Sequence, residues 1–356
     1  MDGVTGIESG VALVIRHLAD AAHLSLLQRP GPGGPFWDPR AAEALATTAP
    51  TLEAAVIRLF LGGLPQSRER LVSLFGTASV VALERAAILC PADGGLASPL
   101  LLVSLLNQHV FAAPPPGHPR FSRDLAPYCG PESLFYGRML AMRGPYGRHL
   151  DLCTGTGLMA LLTQAEETVA VDIDKEALPV ARLNLDINRR GDIDLRCGDL
   201  FAPLAGERFD LITANPPFLP QGPGGELPLC SSGGATGGEA ARRILAGLPD
   251  HLTANGEALI YCEGFGDASG PVLAAAFGAH RSRSHDTTIW IASTAGADRA
   301  IFGLVALWRA AGAGEAEAWA HWASLARCMP ASHYYSMVWQ VRPGNGALSL
   351  RPLGPH

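Results

Sequence analysis

The chain has 356 residues, 48% of them hydrophobic and 17% charged, with a formal net charge of −6. This composition fills a sizeable core, excludes an extended disordered chain, and makes two domains the expectation for the length. The acidic balance also disfavours nucleic acid as a partner, because proteins that live on phosphate contacts carry a basic face.

The remaining bulk features exclude more classes. Arg189-Arg190 and Arg242-Arg243 read as solvated charge on exposed helix faces. The seven cysteines form no C-x-x-C pair and are odd in number, so neither a zinc site nor a disulfide framework is indicated. No metal is expected, and a reducing cytoplasm fits. The sequence shows no basic segment followed by an apolar stretch at its start and no run of ~20 apolar residues. A cytoplasmic protein with no membrane partner is the expectation.

The elements fall into three groups along the chain. Residues 11–27 have helical apolar spacing, a Pro/Gly stretch at 29–35 breaks the chain, and 39–48 and 51–61 read as further helices, with Thr51 as N-cap. Residues 67–75 and 78–86 continue the helical pattern. The apolar run 96–111 reads as two strands of a wing-like hairpin. This N-terminal domain, 1–116, is mainly helical and winged-helix-like, and Pro114-Pro115-Pro116 marks its end. Residues 117–146 form a bridge.

From 147 to 356 strands and helices alternate, which implies a parallel sheet with helices on both faces. Strands are expected at 149–153, 168–171, 193–197, 209–214, 258–262 and 287–292. Helices are expected at 158–164, 175–189, 239–248, 268–279 and 315–326. Residues 334–341 and 347–350 read as a closing antiparallel hairpin around Gly344-Asn345-Gly346.

The first strand runs into Asp151-Leu152-Cys153-Thr154-Gly155-Thr156-Gly157. Glycines at this place let the backbone turn tightly and approach a ligand beyond the carboxyl ends of the strands. The second strand ends at Asp172, where a carboxylate can accept from both hydroxyls of a ribose. Asp199 follows the third strand and can accept from an adenine amino group, with Leu200 covering the ring. Three acids at three successive strand ends fit one nucleoside. Gly155-Thr156-Gly157-Leu158-Met159-Ala160 also satisfies a dinucleotide fingerprint. Asp151, four residues before Gly155, would repel a pyrophosphate but suits the cationic end of a methionine-type cofactor.

Asn215-Pro216-Pro217-Phe218 follows the fourth strand. Two prolines stop the strand and fix the local backbone. The Asn215 carboxamide oxygen and the Pro216 carbonyl can each accept a hydrogen bond, as the two N–H groups of a planar amide or amine require. Phe218 can stack on such a target. The bland alternative is that Asn-Pro-Pro is only a turn.

These motifs resemble the class I S-adenosylmethionine methyltransferases, specifically the methyltransferase small group with its N-P-P-Y/F motif. That group includes release-factor glutamine methyltransferases and ribosomal RNA guanine-N2 and adenine-N6 methyltransferases. Asp151 to Gly157 is similar to the family's first motif, Asp172-Ile173-Asp174 to its ribose motif, and Ala181-Arg182-Leu183-Asn184 to its A-x-x-N helix. Asp199 and Leu200 match the adenine position, and Asn215 to Phe218 the substrate-amine motif. The resemblance implies S-adenosylmethionine as cofactor, bound by Asp151, Thr154, Gly155, Gly157, Asp172, Ile173, Asp199, Leu200 and Asn215. It implies Asn215, Pro216, Pro217 and Phe218 as catalytic residues. This sequence has Leu219-Pro220 where the RNA enzymes often carry His, and Phe218 where the glutamine enzymes usually carry Tyr.

The expected function is transfer of a methyl group to a planar nitrogen of a protein, a peptide or a small molecule, on a Rossmann-like α/β sheet. Ribosomal RNA is the alternative acceptor. A catalytically silent binding module and a dinucleotide oxidoreductase are the alternatives from other classes. Four weaker candidates are left open. Gly222 to Gly238 reads as a lid or a solvated loop. Tyr128, Phe135 and Tyr136 read as a pocket wall or as packing. His333-Tyr334-Tyr335 reads as a core or edge strand, and Glu263 as a site residue or an exposed terminus.

Overall fold

The computed structural model describes residues 16, 43–44, 46–47, 51–114, 127–223, 227–274, 284–328 and 331–353. The helix expected at 11–27, apart from Arg16, and the break at 29–35 lie outside the described residues, as do 275–279 of the helix expected at 268–279, whose described part is a turn and a short strand over 268–271 followed by helical residues 272–274. The chain divides into two compact units: residues 1–144, 154–164 and 174–195, and residues 145–153, 165–173 and 196–356.

In the first unit Arg16 and residues 43, 44, 46 and 47 are helical, and the helices described end to end begin with α1 (Thr51–Phe60), α2 (Arg68–Phe75) and α3 (Thr77–Arg85). Thr51 lies inside α1 rather than capping it. Ser67 caps α2, its Oγ accepting the Arg70 N–H at 3.2 Å, which satisfies a donor the helix itself cannot. Two antiparallel hairpins follow. The first, β1 (Cys90–Ala92) with β2 (Gly95–Ala97), turns at Asp93-Gly94, a signal the pattern reading passed over. The second, β3 (Leu101–Leu105) with β4 (Gln108–Ala112), is the expected one. Its turn residues Leu106 and Asn107 have φ of 48° and 64°, the left-handed pair that a two-residue turn between right-twisted strands requires.

Helices α4 (Pro131–Ala141), α5 (Leu158–Leu162) and α6 (Ala177–Ile187) complete this unit. Leu59, Phe60, Leu71, Val80, Leu83, Leu102 and Phe111 form its core together with Leu183 and Ile187 of α6. Phe60 meets Phe111 edge to face at 5.6 Å. The edge of β4 is met by side chains of α6. Asn184 Oδ1 accepts the Phe111 N–H at 2.7 Å and Asn184 Nδ2 donates to the Phe111 carbonyl at 2.9 Å. One helical turn on, Asn188 repeats the exchange with the backbone of His109. The two carboxamides, four residues apart on one helix face, thus stand in for a strand partner.

The second unit is built on a mixed sheet. Its strands are β5 (Tyr146–Leu152), β6 (Ala165–Asp172), β7 (Asp194–Cys197), β8 (Phe209–Ala214), β9 (Leu252–Asp267), β10 (Gly270–Pro271), β11 (His285–Gly296), β12 (His333–Pro343) and β13 (Leu348–Pro352). The order is β13-β11-β12-β9-β8-β5-β6-β7, with β10 folded back on β9. The pairs β5–β6, β5–β8 and β8–β9 are parallel, and β12 enters antiparallel between β9 and β11. Helix α7 (Glu239–His251) covers one face through Ala241, Ile244 and Leu248, over a core that includes Leu150, Ile212, Ile260, Met337 and Trp339.

Antiparallel closure is present, but it is not the expected hairpin. β12 and β13 are not neighbours; β11 lies between them, and β13 pairs parallel with β11. Asp286 explains the route. Its Oδ1 accepts the N–H groups of Asn345 and Ala347, and the Gly344 N–H donates to the Ser284 carbonyl, so the turn is held around the start of β11. Alternation and an N-G turn report two strands and a reversal, and the pattern cannot tell whether a third strand fills the gap.

Two helices are inserted between β11 and β12: α8 (Asp298–Ala310) and α9 (Glu315–Cys328). The second is expected from sequence; the first is not. Its apolar residues run almost continuously from Ala300 to Trp308, which gives no clear helical face, although Leu304, Val305 and Trp308 are the ones buried.

Candidate active site

Register places the ends of β5, β6 and β8 in one rank, level with Ile260 inside β9. Leu152 of β5 pairs with Val171 of β6 and with Ala214 of β8, and Ala214 pairs with Ile260 of β9. The next residue on each strand therefore stands in a row: Asp172, Cys153, Asn215 and Tyr261. This is the carboxyl edge of the parallel strands, where ligands of open α/β sheets bind.

Asp151, one residue inside the rank, is 1% exposed. The Thr213 hydroxyl donates to its Oδ1 at 2.7 Å, and His149 Nε2 lies 2.8 Å from the same hydroxyl. Because the Thr213 proton points at the carboxylate, His149 Nε2 must carry its own proton and donate it. A relay across β5 and β8 thus orients a carboxylate deep in the sheet. Burying a carboxylate is costly unless hydrogen bonds or an opposite charge offset it.

The acids expected at three strand ends converge on Cys153. Its thiol is pushed well above the usual range, first by burial and then by the negative charges of Asp172, Asp151 and Asp199. Cys153 and Leu200 both hold left-handed backbone, at φ of 55° and 51°. That conformation is uncommon for a side-chain-bearing residue and marks both turns as constrained by their surroundings. The Gly198 N–H donates to the Asp172 carbonyl at 2.9 Å, tying the second acidic corner to the third. Ile173 is half exposed, an apolar face beside Asp172.

Asp199 differs from the expectation in one respect. Its Oδ2 is paired with Arg243 of α7 at 2.7 Å, a partner the sequence reading does not give it. Arg243 is the cation that sequence reading set aside as solvated; only the packing of α7 brings it to the site.

The glycine loop that follows Cys153 belongs to the first unit. Gly155 and Gly157 have φ of 51° and 79°, and the Gly157 N–H closes a turn onto the Thr154 carbonyl at 2.8 Å. Asn184 Nδ2 donates to the Thr156 carbonyl at 2.9 Å, which gives the A-x-x-N asparagine a second duty.

Beyond Asn215, Phe218 meets Tyr261 edge to face at 6.2 Å. In the segment expected as a lid or a solvated loop, of which 224–226 lie outside the described residues, residues 231–234 hydrogen-bond the chain just after the tetrad. Leu219 N–H donates to the Ser231 carbonyl, Gly233 N–H to the Leu219 carbonyl, and Gln221 N–H to the Gly234 carbonyl. Side chains are excluded there: a Cβ on Gly233 would meet Phe218 Cα at 2.8 Å, and one on Gly237 would meet the Phe218 carbonyl oxygen at 2.3 Å. Glu263 also belongs to this region. It accepts from the hydroxyls of Tyr261, Tyr334 and Ser336. Tyr136, considered as a pocket wall, is fully buried in the first unit. Among the described residues no three metal-binding side chains cluster, and no helix is long and apolar enough to cross a membrane.

Known proteins are similar to this chain over part of its length. Residues 133–293 match the model of the methyltransferase small domain. The ribosomal protein uL3 glutamine methyltransferase of Bradyrhizobium diazoefficiens is 43% identical over 122 residues, covering 31% of this chain and 38% of its own length. The release factor glutamine methyltransferase of Xylella fastidiosa is 35% identical over 121 residues, covering 31% of this chain and 44% of its own. The chain thus spans about two fifths of the length of these curated relatives. Among solved structures, the ribosomal protein L11 methylase of Lactobacillus delbrueckii subsp. bulgaricus is similar over 59% of this chain and 76% of its own, at 18% identity and a TM-score of 0.34. The matched stretch contains the rank of strand ends, the acids and the tetrad. Residues 133–293 are therefore a methyltransferase small domain, of the class I S-adenosylmethionine-dependent kind.

Proposed function

We propose that this protein methylates the side-chain amide nitrogen of a glutamine in a protein acceptor. The observation that carries this reading is the rank of strand ends, which sets Asn215 beside Cys153, with Asp172 on the far side of Cys153, and Pro216, Pro217 and Phe218 follow Asn215. Two relatives named for glutamine methylation support the acceptor class.

In this reading Asp151 receives the cationic tail of S-adenosylmethionine and Asp172 its ribose hydroxyls. Asp199 receives the adenine amino group while Arg243 holds its Oδ2. Ile173 and Leu200 cover the ring. Thr154, Gly155 and Gly157 supply close backbone in the loop. The cofactor, when bound, supplies the electrophilic methyl group.

The remaining work falls to the acceptor side. Asn215 Oδ1 and the Pro216 carbonyl accept the two amide hydrogens and so fix the plane of the carboxamide. Pro217 limits the backbone, and Phe218 stacks on the planar target. Alignment of this kind is the main lever for a reaction without a strong general base, and is worth up to ~7–11 kcal/mol in well-oriented systems. We assign acceptor selection to residues 1–116, joined by 117–146 to a catalytic part at 147–356. A cytoplasmic setting follows from a protein acceptor of the translation machinery.

Calorimetry with S-adenosylmethionine and S-adenosylhomocysteine, followed by transfer of labelled methyl in a fractionated extract, tests the proposal. Binding is expected, with label in protein and recovered as N-methylated glutamine on hydrolysis by proteases. Absence of binding would remove the activity; label confined to RNA or small molecules would remove the acceptor class.

A further inference from the structure

The inserted helices α8 and α9 reach the chain just beyond the tetrad. Trp308 is fully buried, and its Nε1–H donates to the Pro220 carbonyl at 3.1 Å. His321 Nε2 lies 3.1 Å from the Gln221 carbonyl oxygen; that oxygen can only accept, so His321 carries its proton on Nε2. The two rings meet edge to face at 5.0 Å. Gly222 lies flush on the indole: a Cβ there would stand 2.2 Å from Trp308 Cδ1. Leu219 packs into the apolar core that these helices form with Phe265.

A second line of contact reaches the same place through side chains. Phe265 packs on Trp322 of α9 and on Tyr334. Tyr334 donates to Glu263, which also receives Tyr261, and Tyr261 meets the Phe218 ring. One line ends on the backbone after Phe218 and the other on its ring. Both start from the insertion.

We propose that the insertion braces the acceptor side of the site, with Trp308 and His321 as positioning residues. Upstream, Pro216 and Pro217 limit the backbone of the tetrad by ring closure. Downstream, the chain has no such restriction of its own before Pro220, and two successive carbonyls are held by donors on separate helices. A segment fixed at both ends presents Asn215 and Phe218 in one geometry. The inference rests on the methyltransferase reading, because it assigns the brace to acceptor alignment.

Three variants test it in the full-length protein: Trp308→Phe, which keeps a ring but loses the donor; His321→Leu, which loses the donor; and His321→Gln, whose side-chain amide can still donate to the Gln221 carbonyl. The first readout is the initial rate of label transfer from S-adenosylmethionine to a salt-washed ribosomal-protein fraction. The rate is expected to fall ~10- to 100-fold in Trp308→Phe and His321→Leu. Cofactor affinity should stay at the parent value, and His321→Gln should recover most of the rate. Equal loss in His321→Gln and His321→Leu, or no loss in either, would overturn the role of the donor.

The second readout is hydrogen exchange of the peptide spanning 215–222, which needs no activity. Exchange should speed up in Trp308→Phe and His321→Leu while β5 and β8 keep their protection. Unchanged exchange overturns the brace even if the parent protein is active. A parent protein that binds no cofactor overturns the methyltransferase reading, and exchange alone then decides whether the helices hold the segment.

Discussion

Asn184 and Phe111 exchange two hydrogen bonds, carboxamide against backbone, in both directions, with the Asn184 side chain fully buried. The same carboxamide holds the Thr156 carbonyl of the glycine loop. One residue therefore couples the N-terminal hairpin, helix α6 and the loop within a single unit. Truncation in Asn184→Ala strands three backbone groups, and each unsatisfied buried group costs ~1–3 kcal/mol. Urea unfolding should show a loss of ~3 kcal/mol or more. A loss below ~1 kcal/mol would mean that water replaces the carboxamide without penalty.

Asn215→Ala should remove the acceptor clamp and spare the cofactor. Label transfer should fall ~100-fold or more, since in-line alignment carries much of the catalysis. Calorimetric affinity for S-adenosylhomocysteine should be little changed. Unaltered turnover would reduce the tetrad to a turn.

The convergence of acids on Cys153 is open to a chemical test. Burial and the charges of Asp172, Asp151 and Asp199 hold its thiol protonated, and a thiol is a poor nucleophile until ionised. Iodoacetamide at mildly alkaline pH should label the exposed Cys197, Cys230 and Cys328 well before Cys153. Asp172→Asn removes one opposing charge and should speed labelling of Cys153, as read by peptide mass spectrometry. No acceleration would show that Asp172 exerts no field there.

Glu257 makes the second unit sensitive to acid. Burial alone would raise its carboxyl, but hydrogen bonds from Arg342, Gln340 and Tyr146 outweigh that and hold it below its ordinary value of 4.5. A lowered folded-state value means that its stabilisation is complete above 4.5 and is lost as pH falls through the folded value. Thermal stability should therefore drop as pH is lowered below that point. Glu257→Gln should cost ~1–3 kcal/mol at neutral pH and flatten part of the acid limb. An acid limb identical to that of the parent would assign the loss to other carboxylates.

Two glycines separate close approach from simple conformational freedom. Gly237 has φ of 88° and no room for a Cβ beside the Phe218 carbonyl; Gly206 has φ of 77° and open space around it. Gly206→Ala should cost ~1–2 kcal/mol, the penalty for left-handed backbone. Gly237→Ala should cost more and also lower methyl transfer, because the added atom displaces the tetrad. Equal effects on stability and none on activity would detach the Gly-rich segment from the site.

The alternation of strands and helices, the glycine loop, the acids at strand ends and the tetrad are all local patterns, and the sequence by itself determined them. Each is short-range: a strand ends at a proline pair, a loop needs φ above zero, a helix follows 3.6-residue spacing. That reading placed β5, β6, β8 and α6 within a few residues of their observed bounds. Long-range partnership was decided only by tertiary structure. β11 lies between β12 and β13 although a hairpin is the simpler reading of the chain. Arg243 pairs with Asp199 across 44 positions, and Trp308 reaches Pro220 across 88. Nothing in the periodicity of either segment encodes its partner, because the contact depends on which face the intervening strands and helices turn toward the rank of strand ends. The physical reason is the range of the forces: backbone sterics and local hydrogen bonds act within a few residues, whereas burial and charge pairing act only once the chain has closed on itself.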